Sequence, residues 1–387
     1  MSHRYQAGAQ RALWALNARA VLEAIDHEGP LGRPELVRAT GLSKTTVTQT
    51  LRSLVAQGVV AEAGLDATRR GPAAALFAIR PGCALALGVD VGPHRVTAAL
   101  TDVRGTELAR ASAPIDGPTI GAVVGPVVGA VARAAAECAG LAGVPLEAAG
   151  QAVVGVRAIV ARGHRTVRTP APALPGDGRG LIEALEAVLP MPVQLENDVN
   201  LAAVAELHEG AGRGVSDFVL LGLGDGLGAG VVLDGRLHRG YAGGAGEVGF
   251  LPGPHTVPGA PVMTGRDLLS LAAAAGLPAS AAGVSELARA GDVRALRVLE
   301  RVAGRLAVVI ASITLVIEPE LVVIGGPFGD PALLEPLRSV LRRDAGPLVI
   351  SLAASAVPDD PVLRGALWQA RLLAREAAFT TAVATAP

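Results

Sequence analysis

Between residues 33 and 60 the apolar positions fall at helical spacing in two short runs with a glycine between them. Leu36 and Val37 give the first run one apolar side, Gly41 supplies a turn, and Ser43 is placed to cap the second run. In that second run Val47, Leu51, Leu54 and Val55 recur at i, i+4, i+7 and i+8 and predict one buried stripe. The opposite side carries Lys44, Thr45, Thr48, Gln49 and Arg52, with no acid among them. A preceding helix is expected over residues 10–27, its apolar side built from Leu13, Leu16, Val21, Leu22 and Ile25. After the second run the pattern changes to strands, 59–63 and 76–79, joined by GLDATRRGPAA. Helix, helix, turn, helix and hairpin together predict a winged helix-turn-helix over residues 1–80.

Residues 84–387 alternate strands and helices. Strands are expected at 84–91, 95–101 and 107–112, then a helix over 120–139, a strand at 151–159, a helix over 181–188 and a strand at 193–196. A helix over 199–208 leads to a second half with strands at 218–223, 230–233 and 321–324. Its helices are placed at 293–317, 332–343 and 361–378. Two α/β lobes, each opening on strands that end in glycine turns, predict a ligand cleft between them.

Charge separates the two parts. The first 80 residues hold ten Lys or Arg against six Asp or Glu, and the rest of the chain holds 24 against 29. A basic head on an acidic body fits a reader of double-stranded DNA joined to a domain with another task. The second helix of the pair presents Lys44, the only lysine in the chain, with Thr45, Thr48 and Gln49, all donors suited to phosphates and base edges in a major groove. Arg69 and Arg70, beside Gly71-Pro72 at the hairpin tip, suit phosphates or a narrow minor groove. The basic excess is modest, so tight binding calls for two heads, a homodimer or higher homo-oligomer on a palindromic operator.

Composition narrows the rest. Five Phe, two Trp and two Tyr are too few for a base-stacking platform or an aromatic sugar cradle. Cys83 and Cys138 are too few for a disulfide framework and fit a reducing compartment. The first residues lack an apolar signal core. The longest greasy run, residues 306–317, falls short of the ~20 residues of a membrane span. A soluble, cytoplasmic protein is expected. Lys44 follows Ser43 rather than a glycine, so no phosphate-cradling P-loop is present, and the glycines at 222–230 join two strands rather than open a dinucleotide-binding helix.

Three segments carry a family resemblance: LENDVN at 195–200, LGLGDGLGAGVVLDGRLHRGYAGGAGEVG at 221–249, and EPELVVIGG at 318–326. With the basic head before them, they resemble the repressor branch of the ROK family (repressors, open reading frames and sugar kinases), over a stretch from about Leu87 to the last helix. The resemblance implies a two-lobed, actin-like (ribonuclease H-like) fold that binds a sugar between the lobes. In kinase members the Asp of the END motif is the general base, the Asn before it contacts the sugar, and the Glu of the GE-hydrophobic-G motif holds sugar hydroxyls. By position these are Asp198, Asn197 and Glu247. Carboxylates at loop and strand ends accept directional hydrogen bonds from hydroxyls, and Asp198 is also placed to cap the helix at 199–208.

Departures from the kinase pattern shift the expected function. Asp90-Val91-Gly92-Pro93-His94 lacks the Gly-Thr of the phosphate-holding turn, and Asp225 stands where kinases usually have Thr. An acid there repels a triphosphate unless a metal intervenes. Phe250 replaces the first zinc-binding His, and residues 251–267 hold His255 but no cysteine, so no metal is expected. Ala173 stands where kinase pockets often have Asn before Leu-Pro-Gly. The expectation is a sugar-responsive repressor of carbohydrate-related genes, without kinase activity and without a cofactor. The alternative is a sugar kinase that keeps a DNA-binding head, with Asp198 catalytic.

Overall fold

The computed structural model describes residues 2–66, 74–116, 124–168, 180–224, 226–251, 265–327, 329–346, 348–357 and 359–385. The head consists of α1 (Ser2–Glu28), β1 (Leu31–Gly32), α2 (Arg33–Thr40), α3 (Lys44–Ala56), β2 (Val60–Asp66) and β3 (Ala74–Ile79). β3 lies between β1 and β2 and runs antiparallel to both, which gives the expected hairpin a third strand. Gly41 ends α2 at φ 70°, a left-handed conformation that costs glycine little. Ser43 caps α3 by accepting the Thr46 N–H at 3.1 Å.

Val47, Leu51 and Leu54 are buried as expected, but Val55 is 39% exposed and Thr50 completes the stripe instead. Positions 47, 50, 51 and 54 cover the arc that faces the core, and position 55 falls beyond it. In α1, Val21, Leu22 and Ile25 are buried, whereas Leu13 and Leu16 are 59% and 70% exposed. The inward stripe runs through half-buried Trp14 and small Ala18, and Leu13 and Leu16 lie off it. The tip with Arg69 and Arg70 lies outside the described residues.

The first lobe contains β4 (Leu85–Val91), β5 (Arg95–Asp102), β6 (Glu107–Pro114), α4 (Val124–Ala142), β7 (Ala149–Val156), β8 (Ile159–Val160), β9 (Val167–Arg168), α5 (Leu181–Val188), β10 (Val193–Asn197) and α6 (Asp198–Glu209). The expected strand over 151–159 is thus broken at Arg157. The second lobe contains β11 (Phe218–Leu223), β12 (Leu227–Leu233), β13 (Arg236–His238), α7 (Gly265–Ala274), α8 (Ala281–Arg289), α9 (Val293–Ile317), β14 (Leu321–Gly325), α10 (Leu334–Asp344), β15 (Leu352–Ala354) and α11 (Pro361–Ala384). The sheet orders, β10-β7-β4-β5-β6 and β13-β12-β11-β14-β15, are the same design used twice. In each, three antiparallel strands are followed by two parallel ones, as the loops demand: tight turns for the former, helical crossovers for the latter.

Each lobe has its own core. Leu87, Val89, Val154 and Leu195 of the first sheet pack on Val131 and Ala134 of α4 and Leu185 of α5. By length and composition α4 is apolar enough to cross a bilayer, but its Val127, Val128, Val131, Ala134 and Cys138 are this lobe's interior. In the second lobe Val219, Leu221, Val322 and Ile324 pack on Val302, Leu306 and Ile310 of α9 and Leu337 of α10. Burial of each such side chain contributes ~1.5–3 kcal/mol.

The last helix of each lobe crosses to the other lobe's sheet. Ala203 of α6 packs with Phe218, Leu220, Val232 and Val323 of the second sheet. Ala366, Ala370 and Ala374 of α11 pack with Ala86 and Val153 of the first, together with Leu201 of α6. The two helices meet at Gly365, where a Cβ would sit 1.9 Å from the Leu201 carbonyl oxygen. α11 then continues into the head, whose core takes in its Phe379 and Ala382 along with Val103. Arg19 reaches Glu376 through two nitrogens at 2.7 and 2.8 Å, and Arg375 donates to Asp26 at 2.9 Å.

Candidate functional site in the cleft and on the head

A cavity of about 470 Å³ lies between the lobes. Its walls include Asn197, Asp198 and Glu247, so all three carried-over residues come together there, along with Arg157 and Phe250. β10 and α6 meet at this point. Asn197, not Asp198, caps α6: its Oδ1 accepts the Asn200 N–H at 3.0 Å. Its Nδ2 donates to the Ala158 carbonyl at 3.1 Å, so both ends of the amide hold local backbone. Asp198, released from capping, keeps its carboxylate in the cleft.

Electrostatics set Asp198 apart from an ordinary acid. Burial raises its pKa above the usual carboxylate range, opposed by the Arg157 guanidinium, whose Nε lies 3.7 Å from Oδ2, and by the Val199 N–H. Glu247 is raised too, by burial first and then by the Asp198 charge. Asp90, at the end of β4, is pushed up to about 6 by burial, then by Asp198, with Asp360 adding and Arg157 opposing. A carboxylate accepts hydrogen bonds and a protonated carboxyl also donates one, so raised pKa values widen the set of polyol hydroxyl partners that the group can match. Arg157, which lines the cleft, was not singled out by the sequence, and Asp90 was noted only as the start of the altered phosphate turn. The break at Arg157 between the runs 149–156 and 159–160 is the signal that could have found it, since an arginine inside an apolar strand has no place in a core.

A buried ion pair holds the loop that carries Glu247. Glu196 is 1% exposed; its Oε2 accepts Arg239 Nε at 2.7 Å, and its Oε1 accepts Asn200 Nδ2 and the Asn197 N–H, both at 3.0 Å. Arg168 Nη2 also donates to the Ala242 carbonyl at 2.7 Å. These contacts tie the first lobe to the 239–247 segment of the second. At Gly246, φ 90°, a Cβ would fall 1.8 Å from the Ala229 carbonyl oxygen, so only glycine allows this loop to bring Glu247 to the cavity. Farther along α6, buried Glu206 accepts the Ala211 N–H at 2.6 Å, the Val357 N–H at 3.2 Å and the Ser355 hydroxyl, which pins the α6 end to the β15–α11 connection.

Of the kinase departures, Asp225, Ala173 and His255 lie outside the described residues. Phe250 lines the cleft. Among the described residues no group of three or more His, Cys, Asp or Glu is placed to hold a metal ion. On the head, Lys44, Thr45 and Gln49 of α3 are exposed and Thr48 is partly so, its hydroxyl donating back to the Lys44 carbonyl at 2.8 Å. The acid-free side of α3 therefore faces solvent.

A winged-helix head followed by two lobes of one repeated sheet design, with carboxylates gathered in the cleft, defines the class. Residues 86–371 match the ROK family and residues 16–71 match the MarR family. The chain belongs to the ROK family and carries a MarR-type winged helix. It is 34% identical over 183 residues to the bifunctional enzyme NanE/NanK of Brucella melitensis, covering 46% of this chain and 35% of that protein. It is 26% identical over 247 residues to the xylose repressor of Caldicellulosiruptor bescii, covering 62% of this chain and 60% of that one. The chain thus spans between a third and three fifths of these relatives. Among solved structures, a ROK family transcriptional regulator described as a homologue of the Escherichia coli MLC protein superposes with a TM-score of 0.75 at 22% identity. That superposition covers 97% of this chain and 100% of the other.

Proposed function

We propose that this protein is a sugar-responsive transcriptional repressor of carbohydrate-related genes, a cytoplasmic homodimer that binds a palindromic operator and lacks kinase activity. The observation that carries the reading is the course of α11. Its first residues, Pro361 and Val362, line the cleft, and its last turns, at Phe379 and Ala382, complete the core of the head. One rigid helix therefore joins the place where a ligand closes the lobes to the place where α3 is held. A ligand that binds the closed form more tightly biases the head through that helix, and the coupling is the difference in its affinity for the two states. A xylose repressor among the relatives supports a sugar as ligand. The Arg157 guanidinium beside Asp198 supports binding over catalysis, since it meets the carboxylate that would otherwise take a hydroxyl proton.

The exposed side of α9 supports the dimer. Val308, Leu315 and Val316 lie on it, the last two 71% and 84% exposed, with partly exposed Gly304, Ala311 and Ser312 among them. An apolar stripe of this length on a monomer's surface fits a partner of the same kind.

Capture of fragmented source-genome DNA at ~0.15 M salt tests the reading, because non-specific affinity falls steeply with salt. A few enriched sites with inverted repeats are expected, and Lys44→Ala is expected to weaken them by ~1–3 kcal/mol if Lys44 reads a guanine. No enrichment overturns it. The kinase reading is favoured by Asp198 and Glu247 at the cleft, and ATP-dependent sugar phosphorylation lost in Asp198→Asn would establish it.

A further inference from the structure

A second cavity, of about 310 Å³, includes Glu209 at the end of α6, ~17 Å along the helix axis from Asp198. The β5–β6 turn contributes Arg104 to it, the end of α6 contributes Glu209, and α11 contributes Arg364, Trp368 and Arg371. Its acids are already engaged. Arg364 donates to Glu209 at 2.9 Å, and Arg110 grips Glu107 through two nitrogens at 2.9 and 2.8 Å.

Two of its cations are not. The Arg104 side chain is exposed and makes no hydrogen bond or ion pair among the described residues. Arg371 Nε is buried with no hydrogen-bond partner, as is Trp368 Nε1. The Arg371 guanidinium lies 3.7 Å from the centre of the Trp368 ring, whose other face stacks on His208 at 4.0 Å. Gly105, at φ 89°, leaves room for it: a Cβ there would sit 2.6 Å from Arg371 Nη1. Burial and then the Arg375 charge lower the Arg371 pKa, against the charges of Glu209, Asp102 and Asp26, so this cation still gains from an anion that replaces its lost water. Stacking fixes the plane of a guanidinium and leaves its edge free, the arrangement that grips an oxyanion through paired N–H donors.

We propose that this cavity binds a small oxyanion of the phosphate class, held between Arg104 and Arg371 against Trp368. It is separate from the cleft, and its occupancy requires neither DNA nor sugar binding. The ligand braces the β5–β6 turn against α11 midway between the cleft and the head.

The chain has two tryptophans, Trp14 and Trp368, so Trp14→Phe leaves Trp368 as the sole indole reporter. Its fluorescence is titrated in the full chain with inorganic phosphate and with glucose 6-phosphate, against chloride at matched ionic strength. A saturable change with phosphate is expected, weakened by about tenfold or more in Arg104→Gln, as loss of a charge-assisted contact predicts, and kept in Asp198→Asn. Tighter binding of glucose 6-phosphate, also sensitive to Arg104→Gln, assigns the site to a phosphorylated metabolite; equal binding assigns it to free phosphate. Arg104 is exposed on a turn, so its replacement leaves the fold intact, and an unchanged melting temperature verifies that. No saturable change up to about 10 mM, the range of the weakest specific binding, overturns the proposal. Equal affinity in Arg104→Gln, or loss of the signal in Asp198→Asn, overturns it as well.

Discussion

Asp198 lines the cleft from the start of α6 and Asp90 on β4 lies within reach of its charge, and burial holds both carboxyls above their ordinary range. Asp90 titrates at about 6 folded, against an ordinary 3.8, so the folded state holds a proton that the unfolded chain gives up. Stability is therefore fullest below about pH 4 as far as Asp90 is concerned, and falls as pH rises through 6. Asp90→Asn is expected to raise unfolding free energy at pH 7.5 by ~1–3 kcal/mol and to leave it nearly unchanged at pH 4. Urea melts of both proteins at the two pH values check this, and an equal effect at both would remove the assignment. At this scale the sequence showed Asn197, Asp198 and Glu247 by motif. It did not show that Asn197 is spent on capping, because a cap and a ligand contact look alike in one dimension. Nor did it show that Arg157 faces Asp198, since that contact depends on how β7 bends.

The elements themselves were more legible than their partners. Periodicity placed α3 and the longer strands of both lobes, because burial of one face imposes it, but it missed the three-residue β13 and β15. It misjudged Val55, Leu13 and Leu16, where apolar character alone does not say which side of a helix is covered. It could not reveal that α6 and α11 exchange lobes, since an Ala-rich face fits either sheet. Gly365 marks the exchange. Gly365→Ala forces α11 off α6 and is expected to cost ~1–3 kcal/mol, the usual price of overpacking, measurable as a lower urea midpoint with the slope preserved. The α9 stripe makes an opposite forecast. Leu315→Glu is expected to convert dimer to monomer in sedimentation, while changing the stability of the isolated chain by only ~0.5 kcal/mol, as for other exposed positions. A dimer that persists would move the interface elsewhere.

For the whole molecule, head, first lobe and second lobe share α6 and α11, so ligand binding in the cleft should register in global stability. In a thermal-shift panel of sugars, a true ligand at a hundredfold excess over its dissociation constant adds ~2.7 kcal/mol. That gain is expected to vanish in Asp198→Asn. A panel without any shift would leave the body a scaffold for two heads. The same sharing governs how the protein is made. Arg19 and Glu376, which pair across the head–body seam, are 357 residues apart in sequence. Phe379 and Ala382 of α11 are part of the core of the head. Synthesis runs from the other end, and early segments ordinarily settle first. Here the DNA-facing head leaves the ribosome before the α11 residues that join its interior have been made. The head is therefore expected to reach its full stability only once α11 has been made and has packed against it.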